Sequence, residues 1–249
     1  MYEERFYRKY GVGEELLSFE VKYYESDLLI LAEKDLRTEA MEAIKEARKT
    51  IEDYALERMD FLTSLEPLTE KGDEPLLIKQ MLEASSLAGV GPMAAVAGAI
   101  NYAVAERLMP ETGELIIENG GDVLICSAKK KKVLIYAGSS PFSEKIAVEI
   151  ESKGRPLGIC TSSGTFGHSL SFGKADAVVV ISENPLLADA AATAIANRIK
   201  NVEDFPGALE LAQGIVGVKG LLLIKADKLA AWGELQISPV ARTQKEEKI

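Results

Sequence analysis

Residues 158–193, GICTSSGTFGHSLSFGKADAVVVISENPLLADAAAT, decide the fold. Residues 157–160 read as a short apolar strand. Residues 161–167 read as a loop rich in hydroxyls and glycine, closed by His168, the one histidine of the chain. Residues 175–181 are a near-continuous Ala/Val/Ile run, as in a strand covered on both faces. Asn184-Pro185 then offers a helix N-cap followed by a first-turn proline. On that helix Asp189 and Thr193 lie four residues apart and share a face. Two oxygen ligands beside a loop of hydroxyls and backbone N–H groups suit a hard cation, Mg2+ or Ca2+, next to a phosphate. The plainer reading makes Asp189 a partner for the helix dipole and Thr193 a core hydroxyl.

Moving outward, Asn119-Gly120-Gly121-Asp122 stands at a strand end. Paired glycines let backbone approach a ligand, and Asp122 can hold a ribose, a polar ring or a metal-bound water. The same four residues also suit a plain hairpin turn. Thr161, Ser162, Ser163, Gly164 and Thr165 offer hydroxyls and N–H groups for a phosphate nest, or simply a polar surface loop. His168 is a candidate acid, base or phosphate contact. Cys126 and Cys160 flank the same region; free cysteines are most often small buried hydrophobes. Residues 167–174 have the wrong spacing for a P-loop, and Ala175 stands where a Ser or Thr is needed. Gly89-x-Gly91 follows a helix and lacks the third glycine of a dinucleotide fingerprint.

The remaining elements follow periodicity. Residues 4–10, 17–24 and 28–32 read as an opening antiparallel meander, with turns at Gly11/Gly13 and at residues 25–27. Residues 38–65 read as one long amphipathic helix ended by Pro67. Residues 76–88 form a second helix. Pro92 starts a third that runs to about Leu108. Its first half, residues 93–100, is almost all small or apolar, which means close approach by other backbone or by a ligand. Residues 114–118 and 123–127 are strands, and residues 133–137 pair back on the latter across the lysine turn 129–132. Residues 146–150 read as a further strand and residues 204–211 as a short helix. Residues 218–226 and 230–237 form a closing strand pair. Strands in pairs and helices in runs give an α+β class: a largely antiparallel sheet with helices packed on it.

At 249 residues and 47% hydrophobic, the chain has material for a large core. Residues 1–240 are expected to form a single domain and residues 241–249 a frayed tail. A formal charge of −10 argues against nucleic acid and against an anionic membrane surface. Two cysteines are too few for a disulfide scaffold. Residues 1–10 lack an apolar signal core and no apolar run reaches membrane length, so the expected place is the cytoplasm.

Together, Asn119-Gly120-Gly121-Asp122, Thr161-Ser162-Ser163-Gly164, His168 and Ala188-Asp189-Ala190-Ala191-Ala192-Thr193-Ala194 resemble the ApbE superfamily. More closely, residues 118–122, 158–177 and 89–98 resemble its UPF0280 branch. The resemblance spans about residues 2–239. It implies an α+β, T-fold-like architecture. Its best-known members are magnesium-dependent FAD:protein FMN transferases. By that likeness Asp189 and Thr193 hold the metal, with a backbone carbonyl near residues 92–97 as a third ligand. The glycine pair and residues 161–165 would line a flavin dinucleotide pocket, with His168 and Asp189 in catalytic roles. The expected partners are a phosphate-bearing small molecule such as FAD or FMN, a target protein, and further copies of the chain in a homo-oligomer. One departure is plain: His168-Ser169-Leu170-Ser171-Phe172-Gly173 replaces the His-Ile-Ile-Asp-Pro-x-Thr-Gly run of the transferases. That departure leaves two alternatives, a non-transferase helper in sulfur assimilation and homocysteine formation, and a non-catalytic oligomeric scaffold.

Overall fold

In the computed structural model, which describes residues 16–164 and 173–240, the chain opens with a hairpin. Its strands are β1 (Leu17–Tyr23) and β2 (Ser26–Ala32). Helices α1 (Arg37–Glu57), α2 (Asp60–Thr63), α3 (Leu76–Ala88) and α4 (Val96–Leu108) follow. Then come β3 (Leu115–Asn119), β4 (Asp122–Cys126), β5 (Lys131–Leu134), β6 (Ile146–Ile150), β7 (Leu157–Ser162) and β8 (Ala177–Ser182). Helices α5 (Pro185–Arg198) and α6 (Phe205–Gly214) precede β9 (Val218–Lys225), β10 (Lys228–Gly233) and β11 (Gln236–Pro239). Among the described residues eight strands make one sheet in the order β1-β2-β3-β4-β7-β8-β9-β10, and β11-β6-β5 make a second. The ladders of the described residues are antiparallel, so the α+β class with a largely antiparallel sheet is observed.

Alternation along the central strands explains the layers. Val178 and Val180 of β8 enter the larger core with the helices, while Ala177, Val179 and Ile181 enter a second core with Val148 and Ile150 of the small sheet. On β4, Leu124 and Cys126 face the helices and Ile125 faces the small sheet. A strand covered on both sides carries no polar face, which is why residues 177–181 read as an unbroken apolar run in an antiparallel setting.

Several expected elements differ. The helix expected over residues 38–65 stops at Glu57, where Arg58 leaves helical geometry at φ −138 and ψ 83. Pro67 does not end it. Arg58 instead donates to the Thr69 carbonyl at 2.8 Å, and Met59 and Leu62 are exposed rather than core. The strand after the lysine turn does not pair back on β4. It joins β6, and β4 takes β7 as its neighbour. The closing segment 230–237 is divided between two sheets, as β10 and β11. Pro92 opens a short 3-10 turn, Pro92–Ala95, and the α-helix starts only at Val96. The turn expected at residues 25–27 is the pair Tyr24-Glu25, because Ser26 already pairs with Tyr23. The strand expected over residues 4–10 and the tail 241–249 lie outside the described residues.

Two glycines set the spacing around the site. A Cβ on Gly158 of β7 would stand 2.6 Å from Pro185 Cα, and one on Gly98 of α4 would stand 2.4 Å from the Pro185 carbonyl oxygen. The N-terminal turn of α5 is thus seated between β7 and α4, each at backbone distance. Asn184 caps that turn, accepting from Leu186 N at 3.0 Å and Leu187 N at 3.3 Å, worth about 1 kcal/mol. Among the described residues no single helix is long and apolar enough to cross a membrane.

Candidate functional site

The β3–β4 hairpin turns through Gly120 and Gly121, at φ +67 and +101, so Asn119-Gly120-Gly121-Asp122 is a two-residue hairpin turn. The β4–β7 register, Val123 opposite Ile159, continues to set Asp122 opposite Cys160 and Gly121 opposite Thr161. A Cβ on Gly121 would lie 3.7 Å from the Thr161 carbonyl. Thr161 N–H donates to Asp122 Oδ1 at 3.2 Å. The glycine corner and the start of the hydroxyl-rich segment therefore meet at one edge of the sheet.

Asp189 approaches from the helix layer. Because Gly98 lets α4 close on α5, Gly98 N–H donates to Asp189 Oδ2 at 2.9 Å, and Ala97 N–H also donates to this carboxylate. Asp189 thus satisfies N–H groups in the first turn of α4, where no side chain of α4's own N-cap does. The plainer reading from sequence is corrected: Asp189 serves the dipole of the neighbouring helix, not its own. Two amide bonds leave a carboxylate further acceptor capacity.

The chemistry of the cluster is that of buried acids. Burial pushes the Asp189 carboxyl up to about 7, against the pull of the Gly98 and Ala97 amides. Asp122 is also raised well above its ordinary range, by burial and by the charge of Asp189. Cys160 hydrogen-bonds Asp122, lies 3.7 Å from the Pro185 carbonyl, and has its thiol pushed up by burial and by both acids. A thiol so placed is not a nucleophile. Cys126, at the far end of β4, is likewise raised by burial and then by Glu114.

The other candidates spread over the same corner. Asn119 is buried at the end of β3. Thr161 and Ser162 belong to β7 rather than to a loop. Ser162 shares the helix-facing side of β7 with Gly158 and Cys160, and its Oγ is buried with no hydrogen-bond partner. Ser163 Oγ donates to the Ala175 carbonyl at 3.4 Å, and Gly164 N–H donates to the same carbonyl at 2.9 Å. The Gly164 amide is therefore used within the protein. Thr193 is half-buried on α5, one turn beyond Asp189. Thr165 and His168 lie outside the described residues. Among the described residues, no three His, Cys, Asp or Glu side chains form a set able to hold a metal ion. A neighbour of this corner not foreseen is Asn101 of α4, which is almost wholly buried. Its Nδ2 donates to the Asp122 carbonyl at 2.9 Å, while its Oδ1 has no partner. The signal was present as one uncharged polar residue in the otherwise apolar run Val96–Ala105.

Comparison with known proteins gives the family and the fold. A family model described as "AbpE bacteria" matches residues 9–206. A "UPF0280 protein" of Methanospirillum hungatei is 41% identical over 213 residues, covering 85% of each chain. One from Archaeoglobus fulgidus is 40% identical over 223 residues, covering 85% of this chain and 92% of its own. Among solved structures, the flavin transferase ApbE of Vibrio cholerae aligns at TM-score 0.57 and 12% identity, over 88% of this chain and 97% of that one. The flavinyl transferase ApbE of Pseudomonas stutzeri, in its apo form, aligns at TM-score 0.56 and 12% identity, over 88% and 94%. With the glycine corner, the Asp189 helix and these matches in hand, the chain belongs to the UPF0280 family and carries the ApbE fold.

Proposed function

We propose that this protein binds a flavin dinucleotide with a divalent cation at the Asp122–Asp189 corner and passes the FMN part of FAD to a threonine hydroxyl of a target protein. The observation that carries this reading is the meeting of two buried carboxylates, from β4 and α5, at a glycine turn where backbone can approach a ligand. A buried pair of acids of this kind calls for positive charge or protons. The donor chemistry fits magnesium: hard oxygens on Asp189, with unused lone pairs, and on Thr193 one turn away. Those two residues would hold the ion. When bound, it would neutralise charge on the diphosphate.

The chain's own residues do the rest. The Gly98 and Ala97 amides orient the Asp189 carboxylate. Asn101 and the Thr161 amide fix Asp122 from two sides, through its carbonyl and its carboxylate. Glycine at positions 120 and 121 leaves room for phosphate or ribose oxygen against the turn. In the transfer, the threonine oxygen bonds to the phosphorus nearer the flavin, the bridging P–O bond breaks, and AMP leaves with the bridging oxygen. The hydroxyl proton passes to a base, for which His168 is the sequence's candidate. Incubation with FAD, Mg2+ and threonine-bearing peptides is expected to release AMP and leave flavin on the peptide. Neither product appearing would reject the transferase.

A further inference from the structure

Among the described residues ten large hydrophobic side chains are exposed, and six of them lie between residues 56 and 87: Leu56, Met59, Leu62, Leu65, Leu76 and Leu87. The first four follow one another at three-residue steps. Met59 and Leu62 continue the spacing of the buried stripe Ile44, Ala47, Ile51 and Ala55, yet the break at Arg58 leaves them in solvent. That break is held in place. Arg58 donates to the Thr69 carbonyl at 2.8 Å and to Asp60 Oδ1 at 3.2 Å. Phe61 is the buried residue of α2, edge-on to Tyr54 with ring centroids 5.0 Å apart. One aromatic ring therefore anchors α2, while Met59 and Leu62 stay outside that anchor. Both ends of α3 join the same surface. Backbone at Leu65 rests on Gly91, where a Cβ would stand 3.2 Å from Leu65 Cα, and Leu87 is four residues before Gly91. Tyr54 O–H donates to Glu74 Oε1 at 3.3 Å, which brings the start of α3, with Leu76, beside the end of α1.

Exposed leucines scattered singly need no explanation, but a cluster of this kind marks an interaction surface. Charge says what covers it. Residues 51–87 hold nine acids and three cations, so 37 residues carry −6 of the formal −10 of the chain. Two of those cations are engaged within the protein, Arg58 as above and Lys79 with the Gly72 carbonyl at 3.0 Å. Glu57 and Glu66, both exposed, flank the apolar run. A second copy of the chain would bring the same acids to the contact, and an anionic membrane would be repelled. A helix with apolar anchors along one face and Lys or Arg beside them matches both features.

We infer that the surface formed by residues 56–65 and the two ends of α3 docks a basic amphipathic helix of a partner protein. The leucines and Met59 supply the buried contact, and the surrounding acids steer the approach and set its orientation. This inference goes beyond the function proposed above and does not rest on it.

The test uses the full chain, without flavin, and a labelled Leu/Lys peptide of about five helical turns with its leucines on one face, read by fluorescence anisotropy. Wild type is expected to bind it. Leu62→Gln/Leu65→Gln and Glu57→Lys/Glu66→Lys are each expected to weaken binding about tenfold or more. Val216→Gln, at an exposed position between α6 and β9, should stay within about twofold of wild type. All these side chains are exposed, so melting temperatures should stay within about 2 °C of wild type. A peptide of the same composition with its leucines spread around the helix should bind at least about tenfold more weakly. No binding by wild type would overturn the inference, as would equal binding by Leu62→Gln/Leu65→Gln or equal binding of the spread-leucine peptide. A concentration-dependent dimer that Leu62→Gln/Leu65→Gln dissolves would give the surface to a second copy and overturn the partner. Binding to phosphatidylserine vesicles that is lost in the same variant would overturn it in favour of a membrane.

Discussion

The two ends of the β3–β4 hairpin both bury polar groups, and they do so in opposite ways. At the far end Glu114 meets the Lys131 ammonium, and Ser127 Oγ donates to the same carboxylate at 3.0 Å. Ser127 and Ser152 exchange two bonds, Ser127 N–H to Ser152 Oγ at 2.8 Å and Ser152 Oγ to the Ser127 carbonyl at 2.9 Å. Burial alone would raise Glu114; hydrogen bonds from Lys131 and Ser127, with the lysine charges, hold it below its ordinary value. Charge is matched and bonds are closed, so this end ties the small sheet to the large one. At the glycine end burial and the charge of Asp189 raise Asp122, and among the described residues Asn101 Oδ1 and Ser162 Oγ have no partner. Under the function proposed above, the cluster whose polar groups are less fully matched is the place for the ligand.

The largest effect expected from that contrast is on chemistry. Asp189→Asn should cut AMP release from FAD about a hundredfold, roughly 3 kcal/mol of barrier, while Lys131→Met leaves the rate unchanged. Equal losses in both variants would erase the distinction between the two ends. Stability should respond the other way. Lys131→Met leaves Glu114 half-satisfied in a largely buried position and should cost about 1–3 kcal/mol in urea unfolding. Gly98→Ala should cost a similar amount, about 1–3 kcal/mol. The new Cβ would stand 2.4 Å from the Pro185 carbonyl and 2.9 Å from Leu186 Cα, pushing α4 off α5. Unlike Lys131→Met, it should also weaken cation binding, because the same amide orients Asp189. Smallest of all, Asn184→Ala should cost about 1 kcal/mol through loss of the α5 cap, and leave ligand binding intact.

A pH experiment sharpens the contrast between closed and open clusters from a third place. Glu74 accepts from Lys71 N–H and from Gly72 N–H at 2.8 Å, and these amides, against burial, pull its carboxyl from 4.5 to about 2. A depressed carboxylate stabilises the fold fully above its unfolded value and loses that contribution as pH falls from about 4.5 to about 2. Glu114 behaves in the same sense. Acid unfolding of Glu74→Gln should therefore show a shallower loss of stability over that window than wild type. An unchanged slope would mean the closed clusters do not contribute as described.

Much of the fold was legible because its signals are local. Asn184-Pro185 at the start of α5, Gly89 just past α3 and the Asn119–Asp122 turn each declare themselves within a few residues. The small residues of 93–100 announced a close approach, and Gly98 against Pro185 is that approach. What was not legible depends on partners far away in sequence. The choice of β7 over the lysine strand as neighbour of β4 is settled by two cores, one on each face, which no single strand reveals. The break at Arg58 follows from its bond to the Thr69 carbonyl and not from its own propensity. At the site, the Asp189/Thr193 spacing and the glycine corner could be read directly. Asn101 could not, because a lone asparagine in a helix has meaning only beside the Asp122 carbonyl it holds.

The most direct test of the central claim is thermal unfolding of the full chain with FAD, with and without Mg2+. Binding at the glycine end predicts a rise in melting temperature with FAD and Mg2+ together, worth about 2.7 kcal/mol at a hundredfold excess over Kd, and abolished by Asp189→Asn. A melting temperature indifferent to FAD and Mg2+ in every combination, or a rise that survives Asp189→Asn undiminished, would contradict it.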